Sequence, residues 1–133
     1  MRMMTTHLDE PRSPKGRAAP FGYAGAEKGR LSIVKFLIGL GANVHACNDY
    51  AIQFSAKKGH LPVVEYLVES GADVHANDDT ALYWSVENGH FDIVKFLVGK
   101  GANACNSSVL ECAKNKYSGI YDFLKKQMLN IYK

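Results

Sequence analysis

The sequence lacks the features that place a protein in a membrane or in a disulfide-rich, secreted class. It has no apolar run of the ~18 residues that a membrane span needs, and we expect no secretory signal at its start. Its three cysteines include no C-x-x-C pair, which argues against a disulfide framework or a zinc ribbon. This usage favours a reducing compartment and predicts an intracellular, cytoplasmic protein.

Charge of one sign is also scarce. Sixteen Lys and Arg stand against thirteen Asp and Glu, and the net charge of +3 is carried by residues 1–30. The remainder is formally neutral, whereas a broad nucleic-acid surface needs clustered basic residues. The composition is otherwise that of an ordinary globular protein, and 133 residues are enough for about one domain. We therefore expect neither a nucleic-acid partner nor a membrane partner.

What the sequence does contain is a repeat with a period of thirty residues. Gly59-His60 recurs as Gly89-His90, and the apolar run Val63-Val64 recurs as Ile93-Val94. A third marker recurs in the same register, as Gly41-Ala42-Asn43, Gly71-Ala72-Asp73 and Gly101-Ala102-Asn103. Three markers at one period identify a repeat protein.

Each unit reads as two helices and a tight turn. Apolar residues at helical spacing predict helices over 32–40, 62–70 and 92–100, and shorter helices precede them over 51–58 and 81–88. Glycines follow these segments, as expected where helices end. Polar residues at 47–49 and 77–79 suit a turn between units. No unit can bury its apolar faces alone, so the units must stack.

The third unit carries a recognisable motif. Thr80-Ala81-Leu82-Tyr83, Gly89-His90, Ile93-Val94 and Gly101-Ala102-Asn103 resemble the ankyrin repeat. The resemblance implies an all-α, ankyrin-like solenoid of helix-turn-helix units. Ankyrin units have ~33 residues, and the three missing here fall where the family carries its β-hairpin fingers, which we expect to be trimmed. Such shortened repeats are similar to those of large amoeba-infecting DNA viruses; if the chain is viral, its compartment is the host cytoplasm.

The repeats predict the domain layout. Residues 1–19, with two prolines and few apolar side chains, read as a disordered tail, and residues 20–133 form the ankyrin-repeat domain. The units cover about 20–46, 47–76, 77–106 and 107–133. The first is degenerate, with Gly22 at a core position and Gly25 within its first helix. The last aligns with the third at a shift of 27, lacks Gly-His, and has the polar outer face that a terminal cap requires.

No catalytic constellation is visible. His45 and His75 are spaced as a column along the stack, without metal-ligand partners. Cys105 and Cys112 read as free, mostly buried thiols. We therefore predict no enzyme activity, no metal and no cofactor. An enzyme remains as a minor alternative, because one sequence does not exclude a Cys–His nucleophile.

The surface is the remaining candidate for function. By the resemblance, partners contact the turn positions and the residues just before the Gly-His step. Tyr83 and Trp84 add aromatic side chains of the kind that anchor interfaces, although Trp84 can also be read as half-buried between adjacent units. The predicted partner-binding residues are Asn48, Asp49, Tyr50, Lys57, Lys58, Asp78, Asp79, Tyr83, Trp84, Glu87 and Asn88. We expect a monomer that binds another protein through its concave face; the alternative is a structural spacer whose groove is unused.

Overall fold

A computed structural model describes Ala26 and residues 28–131, without the side chains of Cys47, Asn48 and Ile131. The predicted tail, Gly22 and Gly25 lie outside the described residues. Across that described part the chain forms seven helices and no strand, so the all-α prediction is confirmed. In chain order the helices are α1 Leu31–Gly39, α2 Ala46–Lys58, α3 Leu61–Glu69, α4 Ala76–Glu87, α5 Phe91–Gly99, α6 Ser107–Lys116 and α7 Ser118–Ile131.

The nine-residue helices α1, α3 and α5 are the second helices of the first three units, and they pack in a row. The apolar spacing of the sequence is the reason, because residues one and four positions apart fall on one side of a helix. In α3 that side buries Val63, Val64 and Leu67, all fully inaccessible to solvent. In α5 the equivalent three residues are buried in the same way. These helices form one layer of the stack.

The other layer consists of α2, α4 and α6, which also lie side by side. The ranges of α2 and α4 start five residues before the predicted 51 and 81 because they include the turn between units, and in α4 the continuous right-handed helix follows from Thr80, close to the predicted start. In α4 the backbone of Asn77, Asp78 and Asp79 is left-handed, with φ between 55° and 63°. Asp49 has the same conformation, with φ 60°. Asn and Asp tolerate this conformation better than other side chains, so a compact left-handed turn stands where a β-hairpin finger was trimmed.

Two aspartates hold these turns from inside. Asp49 and Asp79 are 95% buried, and each carboxylate meets the Nδ1 of the histidine four residues earlier, at 3.0 Å for His45 and 2.8 Å for His75. The Asp49 carboxylate also accepts a hydrogen bond of 2.8 Å from the backbone N–H of Asp73, at the other end of the same unit. The predicted histidine column therefore pairs with aspartates.

Adjacent units meet where a ring lies over a glycine. A Cβ atom on Gly59 would lie 2.7 Å from the His90 ring, and one on Gly29 would lie 2.6 Å from His60. The Nε2 of His90 is also 3.1 Å from the carbonyl oxygen of Lys57, near the end of α2. At the last junction Tyr117 takes the place of the histidine and lies over Gly89. The Gly-His step therefore fixes how closely successive units approach.

The two ends of the stack differ. Ile33 in α1 is 40% exposed, whereas the equivalent Val63 and Ile93 are fully buried beneath the helix of the preceding unit. At the other end, α7 buries Ile120 and Leu124. The outward residues of α7 include exposed lysines and Leu129, which is 67% exposed.

Two alanine substitutions separate the ring contact from the cost of the left-handed backbone. Gly59 and Gly71 both have positive φ, 86° and 101°, but a Cβ on Gly71 would meet no atom within 4 Å. Gly71→Ala should cost about 1–2 kcal/mol of unfolding free energy for backbone strain alone. Gly59→Ala should cost at least about 1 kcal/mol more, because the His90 ring must move. Urea unfolding of both variants measures the difference, and equal losses would show that the ring contact does not constrain the stack.

Candidate partner-binding groove

The predicted partner-binding residues divide by burial. Lys58, Asp78 and Asn88 are exposed, and a second group, made up of Lys57, Tyr83, Trp84 and Glu87, is half-buried. Asp49, Tyr50 and Asp79 are buried. Their polarity and turn position suggested a surface role, but the aspartates bind histidines within the turns and Tyr50 stacks on Phe54 with ring centroids 4.5 Å apart. We therefore leave these three out of the contact surface. The side chain of Asn48 lies outside the described residues.

The junction between α2 and α4 is filled by aromatic side chains and one lysine. The Lys57 ammonium lies 4.3 Å from the centroid of the Trp84 ring and 5.0 Å from that of Phe54. A cation over an aromatic face is attracted by the negative charge density of the ring. Trp84 in turn meets Tyr83 edge-on at 5.5 Å. We call this contact, made of Tyr50, Phe54, Lys57 and Trp84, the filled junction.

The next junction, between α4 and α6, is open. It contains a groove of about 620 Å³, which we call the open groove. It is lined by Asn77, Asp78, Thr80, Tyr83 and Glu87 from the third unit and by Asn106, Ser108, Glu111, Cys112, Asn115 and Lys116 from the fourth. At three positions of the open groove the side chain is smaller than, or opposite in charge to, the side chain at the equivalent position of the filled junction.

Those three positions explain why one junction is filled and the other is not. Counting thirty residues along, Thr80 stands in the place of Tyr50, and Glu87 in the place of Lys57. Counting twenty-seven, Glu111 stands in the place of Trp84. The aromatic rings of Tyr50 and Trp84 therefore have no counterpart at these positions of the second junction, and the lysine that lies over Trp84 and Phe54 is replaced by an acid.

Glu87 lies at the centre of a small hydrogen-bond network in the open groove. The Lys116 ammonium donates to Glu87 Oε2 at 2.7 Å, and the Cys112 thiol donates to Glu87 Oε1 at 3.2 Å. The hydrogen bond from Lys116 is the main cause that lowers the pKa of Glu87, with the Cys112 thiol next. Glu87 is therefore ionised at neutral pH.

The two other titratable groups beside Glu87 stay neutral. Burial raises the pKa of the Cys112 thiol to about 11, and the Glu87 carboxylate adds to the shift. Burial likewise raises the pKa of Tyr83, again with a contribution from Glu87. Since the thiolate is the reactive form of cysteine, Cys112 is a hydrogen-bond donor here and is not an activated nucleophile.

The sequence analysis did not identify the side of the groove that the fourth unit supplies. Asn106 is the N-cap residue of α6. Its side-chain oxygen accepts a hydrogen bond from the backbone N–H of Ser108 at 2.9 Å. Its side-chain amide donates to the carbonyl oxygen of Asp78 at 3.4 Å, which joins the two walls. The shift of 27 residues could have found these positions, because it aligns Asn106 with Asp79 and Glu111 with Trp84.

Because the pKa of the Cys112 thiol is raised in the folded state, the free energy of unfolding should decrease at alkaline pH. Below about pH 9 the thiol is protonated in both states. As the pH rises the unfolded chain loses this proton first, so the unfolding free energy should fall between about pH 9 and pH 11, by about 2 kcal/mol.

Cys112→Ser is the matched control, since serines occupy the equivalent positions 55 and 85. The serine hydroxyl can still donate to Glu87 but does not titrate in this range. Urea unfolding at several alkaline pH values should show a shallower decline for the variant than for the native chain. Identical declines would contradict the assignment to Cys112.

The described part of the chain has neither a metal-binding cluster nor a membrane-spanning helix. No group of three or more His, Cys, Asp or Glu side chains there could hold a metal ion. No helix there has the length and apolar character to span a membrane.

Comparison with known proteins agrees with the repeat architecture. A family model of ankyrin repeats, in three copies, matches residues 22–108. No curated protein matches the chain at a significant level. The family match covers more than half of the sequence and includes the three complete or nearly complete units. The chain therefore belongs to the ankyrin-repeat family.

Proposed function

We propose that this chain is an interaction module that binds a segment of another protein along the face made by α2, α4 and α6. Ankyrin repeats generally mediate protein–protein interaction. The observation that carries the proposal is the open groove of about 620 Å³ between α4 and α6. The groove is lined mainly by polar side chains, with Tyr83 as its one aromatic ring, and such a surface suits hydrogen bonds and ion pairs with a segment of another protein.

The proposed surface combines this groove with the exposed ends of the neighbouring helices. Lys58 and Asn88 are exposed just before the glycines that follow α2 and α4. Tyr83 and Trp84 lie between them and the turn, half-exposed, where a partner could cover the remaining ring surface. Asp78 and Glu87 complete the surface on the side of the fourth unit, and Asn48 is retained from the sequence.

The proposal includes no catalysis and no cofactor. The Cys112 thiol is held protonated, and the groove is an open cleft between two helices, unlike the water-excluding pockets in which enzymes activate nucleophiles. We further propose that the module is monomeric by itself and acts in the cytoplasm, of the host if the thirty-residue repeat reflects a viral origin. Its partner is a protein and is neither a nucleic acid nor a membrane.

A structural spacer is the competing function, and peptide selection separates the two. A displayed library of random short peptides would be selected against the native protein and each recovered peptide measured for affinity. The test variant, Lys58→Glu with Asn88→Arg, changes two exposed residues of the proposed surface. The control, Lys126→Glu with Asn130→Arg, makes the same two changes on exposed positions of α7.

Binding along the proposed face predicts that the test variant loses about tenfold or more in affinity for the recovered peptides, because two side chains of the contact surface are replaced by side chains of different charge and shape. The control variant should bind as the native protein does. Equal affinities for the two variants, or failure to recover any peptide, would favour a spacer.

A further inference from the structure

We propose that the open groove receives a basic side chain, Lys or Arg, from the bound segment of the partner. The proposal rests on the function proposed above and adds the chemistry of the partner to it. Three features of the described residues carry it: the charges that line the groove, the occupant of the equivalent place in the filled junction, and the groups that shape the groove.

The groove is negative in a protein that is positive overall. Asp78, Glu87 and Glu111 line it, and Lys116 is its one basic residue. Lys116 is committed to Glu87 at 2.7 Å. Asp78 and Glu111 are exposed and have no ion-pair partner within the part of the chain that the structure describes. Two net negative charges therefore face this cleft, while the whole chain has a charge of +3.

The filled junction has a lysine side chain at the position that corresponds to the open groove. There the Lys57 ammonium lies between the second and third units, 4.3 Å from the Trp84 ring centroid. In the open groove the residues at the positions of Lys57 and Trp84 are Glu87 and Glu111. The chain supplies Lys57 at the first junction, and at the next its Lys116 pairs with Glu87 but leaves Asp78 and Glu111 without a cation. A cation from outside would pair with these two remaining carboxylates.

The other groups at the groove suit the same occupant. The Tyr83 ring forms part of the wall, and aromatic rings attract guanidinium and ammonium groups. Asp78 is held in a left-handed turn whose carbonyl oxygen is bonded by Asn106, so the carboxylate projects from a fixed backbone. An acidic segment would instead meet two carboxylates without counter-charges, and like charges across an interface cost affinity.

The test is a comparison of two double variants that carry the same net charge. Asp78→Asn with Glu111→Gln neutralises the two carboxylates of the groove and keeps their shape. Asparagine also tolerates the left-handed backbone at position 78. Glu69→Gln with Asp122→Asn neutralises two exposed carboxylates on α3 and α7, away from the groove. Circular dichroism melting confirms that both variants are folded.

Peptides selected from the random library on the native protein should be enriched in Lys or Arg. Their affinity should fall about fivefold or more in the groove variant, as expected for two exposed ion pairs. The affinity should stay unchanged in the control variant, because its two carboxylates lie outside the groove. A general effect of net charge would instead weaken binding by both variants equally. Added salt should weaken binding by the native protein more than binding by the groove variant.

The failures of the two proposals are distinguishable. If recovered peptides are sensitive to Lys58→Glu with Asn88→Arg but carry no excess of Lys or Arg and bind the groove variant at native strength, the basic-side-chain proposal is wrong and the binding function stands. Equal losses in the groove variant and its control would also overturn it. If no peptide is sensitive to the change at Lys58 and Asn88 and none is weakened by the groove variant, both proposals fail.

Discussion

The contact of a side-chain ring with a glycine of the preceding unit is the constraint on which the rest of the stack depends. His90 lies so close to Gly59 that no Cβ fits between them, and Tyr117 lies over Gly89 in the same way. The glycine also ends its helix in a left-handed conformation that other residues adopt at a cost. One small residue thereby stops a helix and sets the distance to the next unit. Because the distance is constant, equivalent positions of successive units face each other in register.

Because the units are in register, equivalent positions meet at every junction, and the junctions differ in which side chains occupy those positions. Tyr50, Phe54, Lys57 and Trp84 fill one junction, whereas three substitutions open the next. The buried residues of the second helices change little between units, since Val63 and Ile93 are both fully buried in the same place. Variation on the exposed side is therefore separated from the packing that maintains the fold, which is how a repeat protein can acquire a specific surface without losing stability.

The sequence predicted the second helices and their ends well, because apolar spacing and glycines are local signals. It did not predict the burial of Asp49 and Asp79, since polar residues in a turn are normally exposed. Their burial depends on histidine partners and, for Asp49, on the backbone N–H of Asp73, twenty-four residues away. Tyr50 was assigned to the turn because the helix was predicted to begin at residue 51, whereas Tyr50 lies within α2 and stacks on Phe54, four residues later on the same helix.

The open groove is lined by residues of both the third and the fourth unit, but the family motif identifies only those of the third. Carrying family positions over to this chain found Asp78 and Glu87, and its aromatic character singled out Tyr83. The carry-over stopped at the fourth unit because the Gly-His marker is missing there. Yet Tyr117 performs the packing role of that histidine, so the fourth unit still stands in register and still presents α6 to α4. The fourth unit buries Val109 and Ala113 in the same apolar core as the third unit. Its exposed residues are free to differ from the motif, and Glu111 and Lys116 can give this junction a chemistry that the central units lack.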